Sequence, residues 1–450
     1  MHSLGKSVGL SCYFCAFIGK KLLLQYFCYP VTIEYLENSF HFKKDGAKRH
    51  PKIFNLQSSI FNSGFAGFGD IKIMGNLPLE GYRVIDFGWA AAAPRATCLL
   101  ADMGAEVIKV ETRKRPDPVR FGPDNLSRDP EMDPLFHSIN RNKLGILLDL
   151  KTSGGIDLIK QLVRISDVVV DNFSPGVMKR FTLEYDDLKK IKPDIIKISF
   201  PGVGREGPLA DVVTYGPSLA GLAGLDSLIG YEDERVLGMQ QAYADINAAL
   251  FGAFAVQMAL YHRERYGAGQ HIEVAQIEAL LSTMPEPIME AGLNNRVLGT
   301  LGNVHPLMAV HNNYPCKGDD KWVSIAILTE AEWKGFCMAL DDPPWTKEED
   351  FADSSKRSLN RKKLDVRIAE WTVDKSPQEV MEVLQKAGVA AAPCADTEDR
   401  YFDPHFQERE IIVNIEHSAT GVDFVPRVVC NLSETPGEIR RPAPLLGEHN

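Results

Sequence analysis

One carboxylate stands out by its surroundings. Asp245 lies in Ala242-Tyr243-Ala244-Asp245-Ile246-Asn247, directly ahead of the apolar run Ile246–Tyr266. Asp before an apolar helical run is a common N-cap, accepting N–H groups of the first turn. The positive end of the helix dipole also favours an ionised carboxylate there. With few other partners such a group can act as a nucleophile. Cap and nucleophile are both open readings of Asp245. Scattered cations form a second group: Lys143 in Asn140-Arg141-Asn142-Lys143, Arg180 behind Asn172-Phe173-Ser174-Pro175-Gly176, and the run Arg113, Lys114, Arg115. Singly each reads as a solvated surface charge. Gathered at one place they would hold an anionic ligand with several phosphates.

Other motifs carry less. Gly202-Val203-Gly204-Arg205-Glu206-Gly207 has the spacing of a dinucleotide fingerprint and follows a strand. That fingerprint requires the loop to open a helix, so that phosphate meets the helix amino end. Pro208 and an irregular Gly- and Ala-containing stretch follow instead, so the loop reads as the wall of a pocket. The sequence has no P-loop, no His-Glu-x-x-His and no Gly-x-Ser-x-Gly, and its 11 histidines form no ligand pair by spacing. Cys12-x-x-Cys15 lacks the second pair of a zinc site. No resident metal or permanently bound cofactor is expected.

The elements that must position these residues are legible from Leu77 onward. Tyr82–Phe87 reads as a buried strand, Pro94–Met103 as a helix stopped by Gly104, and Glu106–Val110 as the next strand. This βαβ unit implies a parallel sheet with a right-handed crossover. Further strands are expected at Leu144–Leu150, Asp167–Val170, Asp194–Phe200 and His271–Val274, with a helix at Ser153–Ile165. An open α/β sheet of this kind binds ligands at the carboxyl ends of its strands. Ile246–Tyr266, apolar on nearly all sides, reads as a buried helix. Residues 280–305 read as irregular. Lys321–Ile327 opens a second α/β region, with helices at Glu330–Leu340, Leu359–Val373 and Pro377–Ala387.

The chain has 450 residues, 44% hydrophobic and 24% charged, which is the mix of a globular protein with a sizeable core. A net charge of −10 argues against nucleic acid as the main partner. Residues 1–76 differ from the rest: nine Lys/Arg stand against four Asp/Glu, leaving 41 against 56 beyond. This segment reads as an extension outside the core. Its apolar run Val8–Gly19 is too short to span a membrane and lacks a cleavage pattern. The scattered cysteines point to reduced thiols and a cytoplasmic location.

Six strings in order resemble the family III CoA-transferases. They are LEGYRVIDFGWAAAAPRATCLLADMGAEVIKVE (79–111), NRNKLGILLDLK (140–151), SDVVVDNFSPGVMKR (166–180), YADINAALFG (243–252), GAGQHIEVAQIEALL (267–281) and PAPLLGEH (442–449). The resemblance implies an enzyme that moves CoA from an acyl-CoA to a carboxylic acid, with CoA thioesters as substrates. It implies Asp245 as the nucleophile, working through an aspartyl anhydride and an aspartyl-CoA thioester. It places CoA contacts on Ala91 and Ala92, on Asn140 and Lys143, on Asn172 and Phe173, and on Arg180. A family arginine aligns with Thr112, and Arg113 stands in for it. The implied fold is an interlocked homodimer. Its large CoA-binding α/β domain spans 77–280, a linker 281–305, and a small α/β domain 306–402. Residues 403–450 return to the large domain and stop short of the family's usual further helix. The superfamily also includes α-methylacyl-CoA racemase, whose second base, a His, falls on Tyr215. An epimerase is therefore the alternative reading, and a non-catalytic CoA-binding remnant a third.

Overall fold

The computed structural model describes residues 77–122, 125, 127–231, 237–239 and 241–450. The expectations for residues 1–76, with Cys12, Cys15 and Cys28, lie outside the described residues.

The first half builds a six-stranded sheet. Its strands are β1 (Arg83–Asp86), β2 (Glu106–Glu111), β3 (Lys143–Leu147), β4 (Val168–Asp171), β5 (Ile196–Ser199) and β6 (His271–Glu273), all parallel, in the order β3-β2-β1-β4-β5-β6. Ile85 sits in register with Ile108 on one side and Val169 on the other. Alternate residues of these β-branched runs enter two different cores, as expected for strands covered on both faces. Val84, Val107, Val168 and Ile196 point one way, Ile85, Val110 and Val169 the other. Each such side chain stabilises the fold by roughly 1.5–3 kcal/mol.

Helices cover both faces. α1 (Ala92–Asp102) precedes β2; α2 (Pro134–Asn140) precedes β3; α3 (Ser153–Arg164) links β3 to β4. α4 (Val177–Arg180) and α5 (Tyr185–Ile191) lead to β5, and α6 (Gly216–Leu222) and α7 (Tyr243–Tyr266) lead to β6. α1 and α7 share a core through Ala92, Ala96, Ala248, Ala249 and Ala253, small residues that let the two helices approach closely. Gly252 carries this further: a Cβ there would strike the Phe200 ring. Ile159, Val163, Met178 and Leu188 fill the opposite core from α3, α4 and α5.

Two expectations for α7 are corrected. It begins at Tyr243, three residues earlier than the apolar run, with Ala242 at the N-cap. Nor is it buried all round, since Leu250, Phe251, Phe254, Met258 and Tyr261 are exposed. Its length and composition would suit a membrane span. Yet it buries Asp245 and Arg263 along its inner side, which marks a core helix of this fold.

Beyond β6, α8 (Gln276–Leu281) and α9 (Pro285–Asn294) occupy much of the stretch read as irregular. Pro285 opens α9, and Asn295, at φ 52°, ends it. β7 (Val310–Pro315), β8 (Trp322–Ile327) and β9 (Ala390–Pro393) form a second, antiparallel sheet. α10 (Glu330–Ala339), α11 (Ser354–Leu359), α12 (Arg361–Thr372) and α13 (Pro377–Lys386) accompany it around a separate core that includes Tyr314, Ile325, Phe336, Leu364 and Leu384. α14 (Thr397–Phe402) and α15 (Pro404–Glu408) lead to a hairpin of β10 (Ile412–His417) and β11 (Gly421–Pro426). The chain end runs along the free edge of β3: Asn142 N–H donates to Arg441 O (3.0 Å) and His449 N–H to Gly145 O (2.9 Å). This covers an edge that would otherwise present unpaired backbone.

Candidate active site

The strand order changes direction between β1 and β4, and ligand sites form at the carboxyl ends of strands beside such a point. The loops after these two strands are fastened together there. Trp89 N–H donates to Asn172 Oδ1 (2.9 Å), and Asn172 Nδ2 donates to Trp89 O (2.7 Å). The Phe173 ring meets the Trp89 ring edge-on at 5.4 Å, and the Arg115 guanidinium covers Trp89 at 4.9 Å.

A buried ionic layer sets the shape of the first loop from beneath. Asp86 accepts from the Gly88 N–H (2.7 Å), the Thr97 hydroxyl (2.7 Å) and Lys143 Nζ (2.9 Å). Lys109 Nζ donates to Gly88 O (2.7 Å) and Asp117 (2.9 Å), while Asp117 also accepts the Ala90 N–H (3.0 Å). Burial alone would raise the Asp86 carboxyl, but Lys143 and Lys109 hold it below its ordinary range. Buried ion pairs repay their desolvation only when hydrogen bonds are complete, and these fix Ala90 at φ 56°.

Above this layer lies a cavity of about 1230 Å³, more than a drug-sized ligand needs. Its wall carries Lys114, Arg115, Lys151 and Arg180. Two wall carboxylates are neutralised: Glu111 pairs with Arg120 (2.8 Å), Asp149 with Lys114 (3.0 Å). The third, Asp245, forms no ion pair among the described residues and is 8% exposed. It occupies the third position of α7, not the cap. Burial pushes its carboxyl up to about 6, partly offset by a backbone hydrogen bond from Ala92, the charge of Arg95 and its own N–H. The amino ends of α1 and α7 thus meet at this carboxylate. Gly216 presses on it too, since a Cβ there would lie 2.5 Å from Asp245 Oδ2. A desolvated carboxylate that stays largely ionised at neutral pH is suited to attack an electrophilic carbonyl.

The residues singled out in the sequence divide. Asp245, Asn172, Phe173 and Arg180 line the cavity. Ala92 holds Asp245 through its backbone, beside Ala91 at the cap of α1. Asn140 and Lys143 are fully buried and bonded to each other (2.8 Å), outside the wall. They shape the loop from behind. Arg113 also lies outside the wall, whereas its neighbours Lys114 and Arg115 belong to it. The Gly202–Gly207 loop, expected to line a pocket, is absent from this wall. Arg205 ties it to Glu184 (2.9 Å), and its N–H donates to Glu273 (3.1 Å).

Sequence reading passed over Trp89, Lys151 and Gln276. Gln276 opens α8 and faces the cavity; its Nε2 donates to Phe200 O (3.2 Å), and its buried Oε1 has no partner. The only signal was an amide at the opening of α8, ahead of Ile277. Tyr215 lies in the wall and is 74% exposed. Elsewhere, His137, His417 and Asp423 cluster, with His137 Nδ1 2.9 Å from Asp423. Spacing gave no hint of this, because the residues come from α2 and the distant β10–β11 hairpin. His417 spends both ring nitrogens on backbone, Nδ1 accepting the Ala419 N–H (3.1 Å) and Nε2 meeting Ala443 O (3.2 Å). That makes the cluster a clasp between α2 and the hairpin.

Comparison with known proteins places the chain in a family. The chain is 31% identical over 374 residues to the succinyl-CoA–D-citramalate CoA-transferase of Chloroflexus aurantiacus, spanning 83% of this chain and 92% of that protein. It is 32% identical over 381 residues to the succinate–glutarate CoA-transferase of Agrobacterium fabrum, spanning 83% and 94%. A crystal structure of a CAIB/BAIF family protein from Brucella suis superposes with a TM-score of 0.77 at 30% identity, covering 83% of this chain and 98% of that one. The model of CoA-transferase family III matches residues 79–450. The chain belongs to CoA-transferase family III and is an enzyme that transfers CoA between carboxylic acids.

Proposed function

We propose that Asp245 carries the CoA covalently between two acids, and that both acids are small dicarboxylates. An Asp245 oxygen attacks the thioester carbonyl of the donor; the C–S bond breaks, leaving a mixed anhydride and CoA thiolate. The thiolate attacks the aspartyl carbonyl, expelling the donor's carboxylate and forming an aspartyl-CoA thioester. The acceptor carboxylate attacks that thioester, giving a second anhydride and thiolate. The thiolate attacks the acceptor's carbonyl, and Asp245 is regenerated. The observation that carries this reading is Asp245 itself: an unpaired, desolvated carboxylate in a cavity wall that holds four cations and whose other two carboxylates are ion-paired. Lys114, Arg115, Lys151 and Arg180 supply charge for the phosphates of CoA. Gln276 Oε1, an acceptor without a donor, suits an N–H of the pantetheine arm. The dicarboxylate part rests on the names of the relatives, which use succinyl-CoA or succinate with citramalate or glutarate.

A thioester-exchange screen of the purified protein tests the reading, with succinyl-CoA and acetyl-CoA as donors against mono- and dicarboxylic acids. Exchange with dicarboxylates supports it; no exchange with any acid contradicts it. The epimerase alternative needs a second base opposite Asp245. Tyr215 stands in the same cavity at the aligned position, where the racemase reading needs a His imidazole. Deuterium uptake at the α-carbon of a 2-methylacyl-CoA in deuterated water would favour that alternative.

The homodimer belongs to the same proposal. Leu250, Phe254, Met258 and Tyr261 recur at helical spacing on the exposed side of α7, an apolar stripe suited to a second copy of this chain.

A further inference from the structure

Among the described residues, four buried side-chain polar atoms lack a hydrogen-bond partner: Arg95 Nε, Arg263 Nη1, Gln276 Oε1 and Asp423 Oδ2. Two of them have a polar group of opposite kind nearby, since Arg263 Nη1 lies 3.8 Å from Asp194 and Asp423 Oδ2 lies 2.9 Å from His137 Nδ1. Of the other two, Gln276 lines the same cavity as Asp245, and the charge of Arg95 acts on Asp245. Arg95 is half-buried, with only its Nε fully enclosed. Its side chain makes no hydrogen bond and no ion pair among the described residues. It lies on α1, three residues beyond Ala92, whose backbone holds Asp245. Residues at that spacing share a helix face. The two charges attract one another, yet no ion pair closes between them. Arg95 is also absent from the cavity wall. It therefore approaches Asp245 from α1 and not from the cavity wall.

An unpartnered buried donor is costly and calls for an explanation. A guanidinium stays charged and presents a planar fork that matches a carboxylate. We propose that Arg95 is a specificity-determining residue that binds the second, non-reacting carboxylate of a dicarboxylic acyl group held on Asp245. The inference rests on the CoA-transfer reading above and adds the residue that distinguishes a dicarboxylic acyl group from a hydrocarbon one.

Two measurements test it. The first compares succinyl-CoA with butyryl-CoA, acyl groups of equal chain length, in the wild type, Arg95→Lys and Arg95→Leu. Arg95→Leu should lower the ratio of their kcat/KM values by roughly 10–100-fold, mainly through KM for the succinyl substrate, and Arg95→Lys by less. An unchanged ratio, with both substrates impaired alike, would make Arg95 only an electrostatic support for Asp245 and overturn the proposal. The second uses the wild type and needs no turnover. Phenylglyoxal labelling of the Arg95 peptide, read by mass, should be slowed by succinate and not by butyrate; equal labelling in both overturns the subsite. Succinate protection without CoA transfer to any acid would keep the subsite and remove the transferase reading. CoA transfer without protection would do the reverse.

Discussion

Asp245 is held by backbone and by burial, and its pH behaviour follows from that. Its carboxyl lies at about 6 in the folded chain against an ordinary 3.8. In the proposed role the deprotonated form is the nucleophile, so kcat/KM for CoA transfer should fall as pH drops through about 6 and level off above 7. A pH–rate profile flat from 5 to 8 would contradict the proposed role. Stability runs the opposite way. The unfolded chain gives up this proton near 3.8 and the folded chain near 6, so burying the charge destabilises the fold increasingly across that window. Asp245→Asn should then be more stable than wild type at pH 8 by roughly 2–3 kcal/mol, with the gain vanishing below pH 4. Denaturant melts at both pH values check this. A plain N-cap predicts no gain, because Asn and Asp cap about equally. Lys143 is the contrasting residue: it looked like a ligand contact in the sequence, yet it lies inside, paired with Asp86, 57 residues away in the chain. Lys143→Met would leave Asp86 unpaired in the core and should cost about 3–5 kcal/mol.

At the level of elements, what was legible and what was not have physical reasons. The runs around Val84-Ile85, Val107-Ile108 and Val168–Val170 announce buried parallel strands, because both faces of each strand are covered. The start of α7 was misread because Asp245 resembles a cap, whereas the actual cap, Ala242, offers no side-chain bond. That displacement matters, since it moves Asp245 into the first turn, where α1 reaches it. α9 is hard to read from sequence because Pro and Asn also mark irregular chain. They are the punctuation of a helix, Pro285 at its start and Asn295 at its end. The family strings identified the cavity-lining Asn172, Phe173, Arg180 and Asp245, but not that Asn140 and Lys143 act from below, since burial depends on partners far off in sequence. Gly216 connects two elements, bringing the start of α6 against the start of α7. In Gly216→Ala the new Cβ would meet Asp245 Oδ2 at 2.5 Å and the Ala242 Cβ at 2.9 Å. Overpacking of this kind costs roughly 1–3 kcal/mol. CoA transfer should fall at least about 10-fold, since small misplacements of a reacting group are expensive. Activity at wild-type level would show that Asp245 need not be held there.

For the whole molecule, α7 carries both parts of the proposal. Its first turn presents Asp245, and its middle turns leave Leu250, Phe254, Met258 and Tyr261 in the open. If that stripe meets a second copy, light scattering should report a dimer, and Phe254→Glu should shift it toward monomer; an unchanged mass would place the contact elsewhere. The account's central claim is that Asp245 itself carries the CoA. The most direct measurement incubates the wild-type protein with succinyl-CoA and no acceptor, adds hydroxylamine, and reads the mass of the peptide holding Asp245. The account predicts a hydroxamate on that peptide, absent from Asp245→Asn, which should also transfer no CoA. An unmodified wild-type peptide, together with normal CoA transfer by Asp245→Asn, would contradict it.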